Sequence, residues 1–145
     1  MIPLTLLVAA TAFDERLDAQ RVTDAIALGL GDGGCQAETC AISLDAPPGA
    51  VRIAALLESL DFDVRMRAAR ALVLAAARLE EDTLAGSITF ELATRARQAG
   101  VPAYAVTGED CLDSFDARIL DLQTIVQART HRSLRAAGRK LAKLI

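Results

Sequence analysis

Short apolar runs recur along this chain with helix-spaced segments between them, and that alternation restricts the fold more than any other feature. Leu4–Ala10, after Pro3, fits a strand buried on both faces. Asp18 is placed to cap a helix with the stripe Val22, Ala25, Ile26 and Leu30, ending near Gly31. Gly29, Gly31, Gly33 and Gly34 read as the turn that follows, with Asp32 supporting it. Thr39–Ser43 is the second strand. Pro47-Pro48-Gly49 opens a second helix carrying Val51, Ala54, Leu57 and Leu60, and Asp61–Ala69 continues as a short helix or turn. Ala71–Leu74, Ala103–Val106 and Leu122–Val126 are the remaining strands, with Thr107-Gly108 ending the fourth. Thr89 reads as the cap of a helix with Leu92, Ala93 and Ala96, closed by Gly100. The last helix runs from about His131, with Leu134, Ala137, Leu141 and Leu144 on one face. Strands separated by single helices pair in parallel through right-handed crossovers. The expected fold is α/β: a three-layer sandwich of about five parallel strands, an open sheet of the Rossmann-like or flavodoxin-like kind. It forms a single domain over residues 1–145.

Composition narrows the function classes. Hydrophobic residues make up 52% of the chain, which argues for a packed core, and aromatics are only 3%, so that core is aliphatic. A net charge of −3 gives no general attraction to nucleic acid or anionic membrane, and neither is expected as a partner. No apolar run reaches the roughly 20 residues of a membrane-spanning helix. The opening MIPLTLLVAATAF lacks the basic start of a signal peptide and reads as the first strand. Cys35, Cys40 and Cys111 fit neither a disulfide framework nor a CxxC site, and one histidine, His131, does not make a zinc site. Reduced thiols place the expected location in the cytoplasm.

Ligands of open α/β sheets bind beyond the carboxyl ends of the strands. There the chain offers little. After the third strand the expected loop begins Ala75, Ala76, Ala77, residues with no charge and no side-chain hydrogen bond, and poorly suited to a phosphate-cradling turn. Glu80, Glu81 and Asp82 read as a solvated helix start rather than a metal site, and no metal ligand set is expected. Thr11, Phe13, Asp14 and Glu15 follow the first strand, and Asp45 the second; their carboxylates suit acid/base work or Mg²⁺, with partnership to a helix dipole as the structural reading. Thr107-Gly108-Glu109-Asp110 could meet a ligand hydroxyl but reads as a connection. The final helix carries Arg132, Arg135, Arg139, Lys140 and Lys143, with Arg129 just before it; such a basic amphipathic helix can bind a membrane, nucleic acid or an acidic partner, but the narrow apolar face and macrodipole compensation favour a structural role.

LLVAATAFDERLDAQRVTDAIALG resembles the opening of the bacterial glycerate kinases, where a strand ends in a Pro-Asp-Ser-Phe-Lys-like turn. DFDVRMRAARALVLAAARLEEDTLAGSITFELATRARQAGVPAYAVTG resembles that family's strand, its Thr-Gly-Glu-Gly-Arg-x-Asp turn and its Gln-Thr-x-x-Gly-Lys segment, and the LRAAGRKLA ending also fits. The resemblance covers most of the chain and implies the nucleotide-side domain of such a kinase. The family's second, cleft-closing domain would be missing, with the junction near Ala54–Asp61.

The departures fall on the family's site. Its Asp and Lys in the first turn align with Thr11 and Asp14, a reversal of charge at Asp14. In the second turn Asp45 and Gly49 survive, but the Glu becomes Pro48. In the third, Gly-Glu-Gly becomes Ala75–Ala77, Arg78 survives, Asp becomes Glu80, Thr83 and Gly86 survive, and Lys becomes Ser87. Phosphoryl transfer depends on positioning and on stabilising negative charge, so these losses imply a non-catalytic relative. The expectation is a degenerate glycerate-kinase-like domain, a pseudoenzyme that binds a ligand or partner or assembles with itself at the eroded cleft edge. No cofactor is expected, ATP-Mg²⁺ entering only if residual kinase-like binding survives. Thr11, Asp14, Asp45, Arg78, Thr83 and Gly86 are the ligand-contact candidates, and none is assigned a catalytic role. The alternative is a small enzyme with a rebuilt site, where Arg78 holds an anion and Asp14 or Asp45 moves a proton. A signalling receiver fits worse, because Leu74 and Ala75 stand where its phosphoacceptor Asp belongs.

Overall fold

The computed structural model describes residues 5–43, 50–79, 88–113 and 118–145. Its strands are β1 (Thr5–Ala10), β2 (Gln36–Ala41), β3 (Leu72–Leu79), β4 (Ala103–Asp110) and β5 (Leu122–Gln127). Its helices are α1 (Ala19–Asp32), α2 (Ala50–Ser59), α3 (Phe62–Ala68), α4 (Ile88–Ala99) and α5 (His131–Leu144). All strands pair in parallel, in the order β2-β1-β3-β4-β5. This is a Rossmann-like, flavodoxin-like α/β sheet.

Side chains alternate across each strand, so two apolar layers form. Leu7, Ala9, Leu72 and Leu74 face Ile53, Leu57, Phe62, Met66 and Leu92 of α2, α3 and α4. Leu6, Val8, Val73 and Val106 face Val22, Ile26 and Leu30 of α1 and Leu134 and Leu141 of α5. Burial on both faces is why β1 and β3 read as unbroken apolar runs rather than alternating ones.

Three expectations need correction. Ala75–Ala77 is not a loop: β3 continues through it and through Arg78 to Leu79, with Ala75 4% and Ala76 7% exposed. Alanine has low β propensity in general, but that scale reports packing, and here β4 supplies a ladder opposite Ala75 and Ala76. β4 likewise runs past Thr107-Gly108 to Asp110. Neither buried alanine is open to dock another chain. Second, β2 starts three residues and ends two residues earlier than expected, because as an edge strand it buries only Cys40 and offers no apolar run to read. Third, Thr89 lies inside α4 as a buried residue and does not cap it. Gly100, with φ 73°, does close that helix.

The turn reading of the glycine group also changes. Gly29 and Gly31 lie within α1, and Gly33 is its C-cap. Gly29 and Gly138 let α1 and α5 touch backbone to backbone: a Cβ on Gly138 would collide with the Ile26 carbonyl and lie 2.9 Å from Gly29 Cα. Asp32 fastens the same seam. Its carboxylate accepts from Arg135 Nε at 2.7 Å and Nη2 at 3.0 Å, and from Arg139 Nη1 at 3.3 Å. The Arg135 hydrogen bond, working against some desolvation and helped by Arg139, holds this carboxyl below its usual range. A carboxyl depressed on folding adds stability above its unfolded pKa of about 4 and loses it as pH falls through the folded value. Asp32→Asn should therefore lower the urea midpoint at pH 7. The gap from the native chain should close below about pH 4; a gap that persists there would show that the seam does not depend on the charge.

Candidate functional site

In this strand order the chain changes winding direction between β1 and β3, and the crevice outside their carboxyl ends is where such sheets bind ligands. The segment after β1 contains no glycine. Asp14 folds it: Oδ1 accepts the backbone N–H groups of Arg16 and Leu17, both at 2.8 Å. The Phe13 N–H donates to the Leu17 carbonyl at 2.8 Å. Asp18 then caps α1, as its sequence position predicts, accepting the Arg21 N–H at 2.8 Å. A phosphate at a helix start needs free N–H donors and a positive field. Here Asp18 holds one of those donors, the Arg21 N–H, and Asp14 and Asp18 place negative charge beside the helix start.

β3 and β4 run on past β1, whose register with β3 ends at Ala10 opposite Ala75. Arg78 sits opposite Glu109 on this projecting ribbon, with Nε 3.7 Å from Oε2 and both side chains about half exposed. Such a pair contributes little energy and sets up no directed anion site. Gly108 allows the strands their approach, since a Cβ there would lie 2.7 Å from the Ala77 carbonyl oxygen. Beyond β5, Arg129 Nε donates to the Gly108 carbonyl at 2.7 Å. Thr130 and Ser133 form a capping box at the start of α5.

Phe13, Asp14, Ala77, Gly108, Glu109 and Arg129 line a cavity of about 220 Å³ at this edge. Small-molecule sites usually occupy roughly 300–1,000 Å³, so the cavity suits a few-atom ligand better than a nucleotide. Of the residues expected from sequence, Asp14 lines the cavity, but as the residue that closes its own turn. Thr11 lies one residue past β1, its N–H on the Ala75 carbonyl at 3.2 Å. Arg78 stands outside the cavity on the ribbon. Asp45, Thr83 and Gly86 fall outside the described residues, as do Glu80, Glu81 and Asp82. Arg129 is the cavity residue that sequence reasoning passed over as part of a basic helix. Its signal was position: it is the first cation after the fifth strand, at the same edge. Among the described residues, no three His, Cys, Asp or Glu side chains converge as a metal site, and no helix is long and apolar enough to cross a membrane.

No protein-family profile matches this chain. No curated protein is similar to it at a significant level. Solved structures share its fold. A diflavin flavoprotein A3 from Nostoc sp. superposes with a TM-score of 0.54 at 13% identity, over 99% of this chain and 94% of that one. A de novo designed Rossmann 2x3 fold protein gives 0.51 at 10% identity, over 99% and 91%. A 3-dehydroquinate dehydratase-like protein from Bifidobacterium longum gives 0.51 at 12% identity, over 97% and 95%. That one fold includes a flavoprotein, a design and a dehydratase-like protein means function must be argued from the site.

Proposed function

We propose that this chain is a non-catalytic, cytoplasmic α/β domain related to the glycerate kinases, which works by binding a protein partner or by assembling with itself. The observation that carries this reading is the self-closed carboxyl edge. Asp14 takes the Arg16 and Leu17 N–H groups of the turn before α1, and Asp18 takes the Arg21 N–H of its first turn. The kinship itself rests on the two sequence segments that resemble the family.

A second reading, a small enzyme with rebuilt chemistry, draws on Arg129, Asp14 and Glu109 around one cavity. Thermal unfolding with millimolar glycerate, ATP-Mg²⁺ and FMN separates the two, FMN being included because a diflavin flavoprotein shares the fold. A ligand at a hundredfold its Kd adds about 2.7 kcal/mol to the folded state. That is a rise in Tm on the order of 8 °C for a chain of this size. The expected result is no rise beyond about 1 °C with any of the three. A rise of several degrees with glycerate or ATP-Mg²⁺, abolished by Arg129→Ala, would replace the binding-domain reading with the enzyme.

A further inference from the structure

The parallel sheet ends at β2 on one side and at β5 on the other, and each of these strands has one edge that pairs with no described strand. An open edge is a template for a strand of another chain, and charge, proline or a bulge are the usual means of blunting it. β2 uses charge. The Ile42 N–H donates to the Ala10 carbonyl, so by alternation Thr39 directs its carbonyl away from β1. That carbonyl accepts from Arg65 Nη2 at 2.6 Å, and Arg65 Nε is paired with Glu38 at 2.6 Å. An ion pair between α3 and β2 thereby occupies this edge.

β5 has nothing of this kind. Its sequence, LQTIVQ, carries no charge and no proline, and Thr124, Ile125 and Val126 are β-branched, as strands favour. No like charges would oppose each other if two copies of it paired antiparallel. What the strand has instead is an irregular register. Ala103 pairs with Leu122 and Ala105 with Ile125, so Tyr104 alone stands opposite both Gln123 and Thr124. That is a bulge of one extra residue. The packing shows the same shift: Leu122 and Ile125 both lie against the core layer of α2, α3 and α4, although residues three positions apart on a regular strand point to opposite faces. Thr124 Oγ1 donates to the Gln123 carbonyl at 2.8 Å, so the bulge satisfies one of its own acceptors.

We propose that the Gln123–Thr124 bulge is what keeps β5 from pairing with β5 of a second copy of this chain. The Ala128 N–H donates to the Thr107 carbonyl at 2.8 Å, which fixes the alternation: Val126 bonds toward β4, and Ile125 and Gln127 direct their backbone groups outward. The bulge breaks this row and bends the strand, so the regular edge is only Ile125–Gln127. Without the extra residue it would run unbroken over the five that remain of the six in β5, and Leu122 would join Ile125 and Gln127 in facing outward. Two such edges related by a two-fold axis would join two five-stranded sheets into one. The inference depends neither on the carboxyl edge nor on whether the chain assembles through another face.

Deletion of Gln123 tests this, because it removes the extra residue and leaves Leu122 and Ile125 two positions apart, on one face. Sedimentation of the folded deletion variant should show self-association at least about tenfold tighter than that of the native chain. Adding Gln127→Pro to the deletion should reverse the gain, since proline there removes an outward N–H and no bond to β4. Amide hydrogen exchange on the native chain reads the same edge with no change of sequence. The Ile125 and Gln127 amides should exchange fast at every protein concentration, while β4 protects the Val126 amide. A folded deletion variant that associates no more tightly than the native chain would overturn the proposal. So would Ile125 and Gln127 amides that gain protection in the native chain as its concentration rises. A gain in association that Gln127→Pro leaves intact would overturn it too, because the new contact would then lie elsewhere than on this edge.

Discussion

Gly138→Ala is expected to destabilise the fold by about 2 kcal/mol, read as a fall in urea midpoint at unchanged slope. The added methyl would meet the backbone of α1 at the Ile26 carbonyl and the Gly29 Cα, and backbone cannot swing aside as a side chain can. Overpacking of this kind costs roughly 1–3 kcal/mol or more, which outweighs the roughly 1 kcal/mol that alanine gains over glycine inside a helix. Gly29→Ala should behave alike, since its Cβ would fall on the Arg135 carbonyl. Gly31 supplies the control: it lies in the same helix α1, and a Cβ there would have no atom within 4 Å. Gly31→Ala should be neutral or stabilising by up to about 1 kcal/mol. Equal effects at Gly31 and Gly138 would show that α1 and α5 are not in backbone contact.

The largest single loss is expected from Phe62→Ala, about 3–5 kcal/mol. Phe62 is fully buried at the start of α3, in the core layer with Leu57, Met66 and Leu92. Removing it deletes both the transfer energy of the ring and the contacts around the cavity it leaves. Against a typical total of roughly 5–15 kcal/mol, that is enough to leave part of the population unfolded at 37 °C. Chemical denaturation reads the effect directly. A loss under about 1 kcal/mol would mean that α3 does not seat this ring in the core.

Much of the fold is legible before any coordinates. Leu6–Ala10 is apolar at every position because helices cover both faces of a parallel sheet, and that requirement is written residue by residue. Asp18 is readable as a cap because its side chain acts on a donor three positions away. The start of α5 at His131 and the closure of α4 at Gly100 are local in the same sense. The end of β3 is not. Alanine carries no strong preference of its own, so whether Ala75–Ala77 forms loop or strand depends on β4 lying alongside. The edge strand β2 fails for the opposite reason: its neighbours bury little of it, so its composition shows no period.

The candidate site divides along the same line. Asp14 was visible as a carboxylate at the right edge, but its role depends on where Arg16 and Leu17 place their N–H groups. Arg129 reaches the edge only because β4 brings the Gly108 carbonyl to it, 21 residues away in sequence. Asp32 was legible as a turn residue, yet its partners Arg135 and Arg139 lie 103 and 107 residues away. The sequence by itself determined the layers and the parallel winding, because periodicity and caps act over a few residues. Only the tertiary structure decided which glycines serve helix contact, how far β3 and β4 project, and that the carboxyl edge is closed by its own side chains. Those outcomes depend on distances between residues far apart in the chain, which no local pattern encodes.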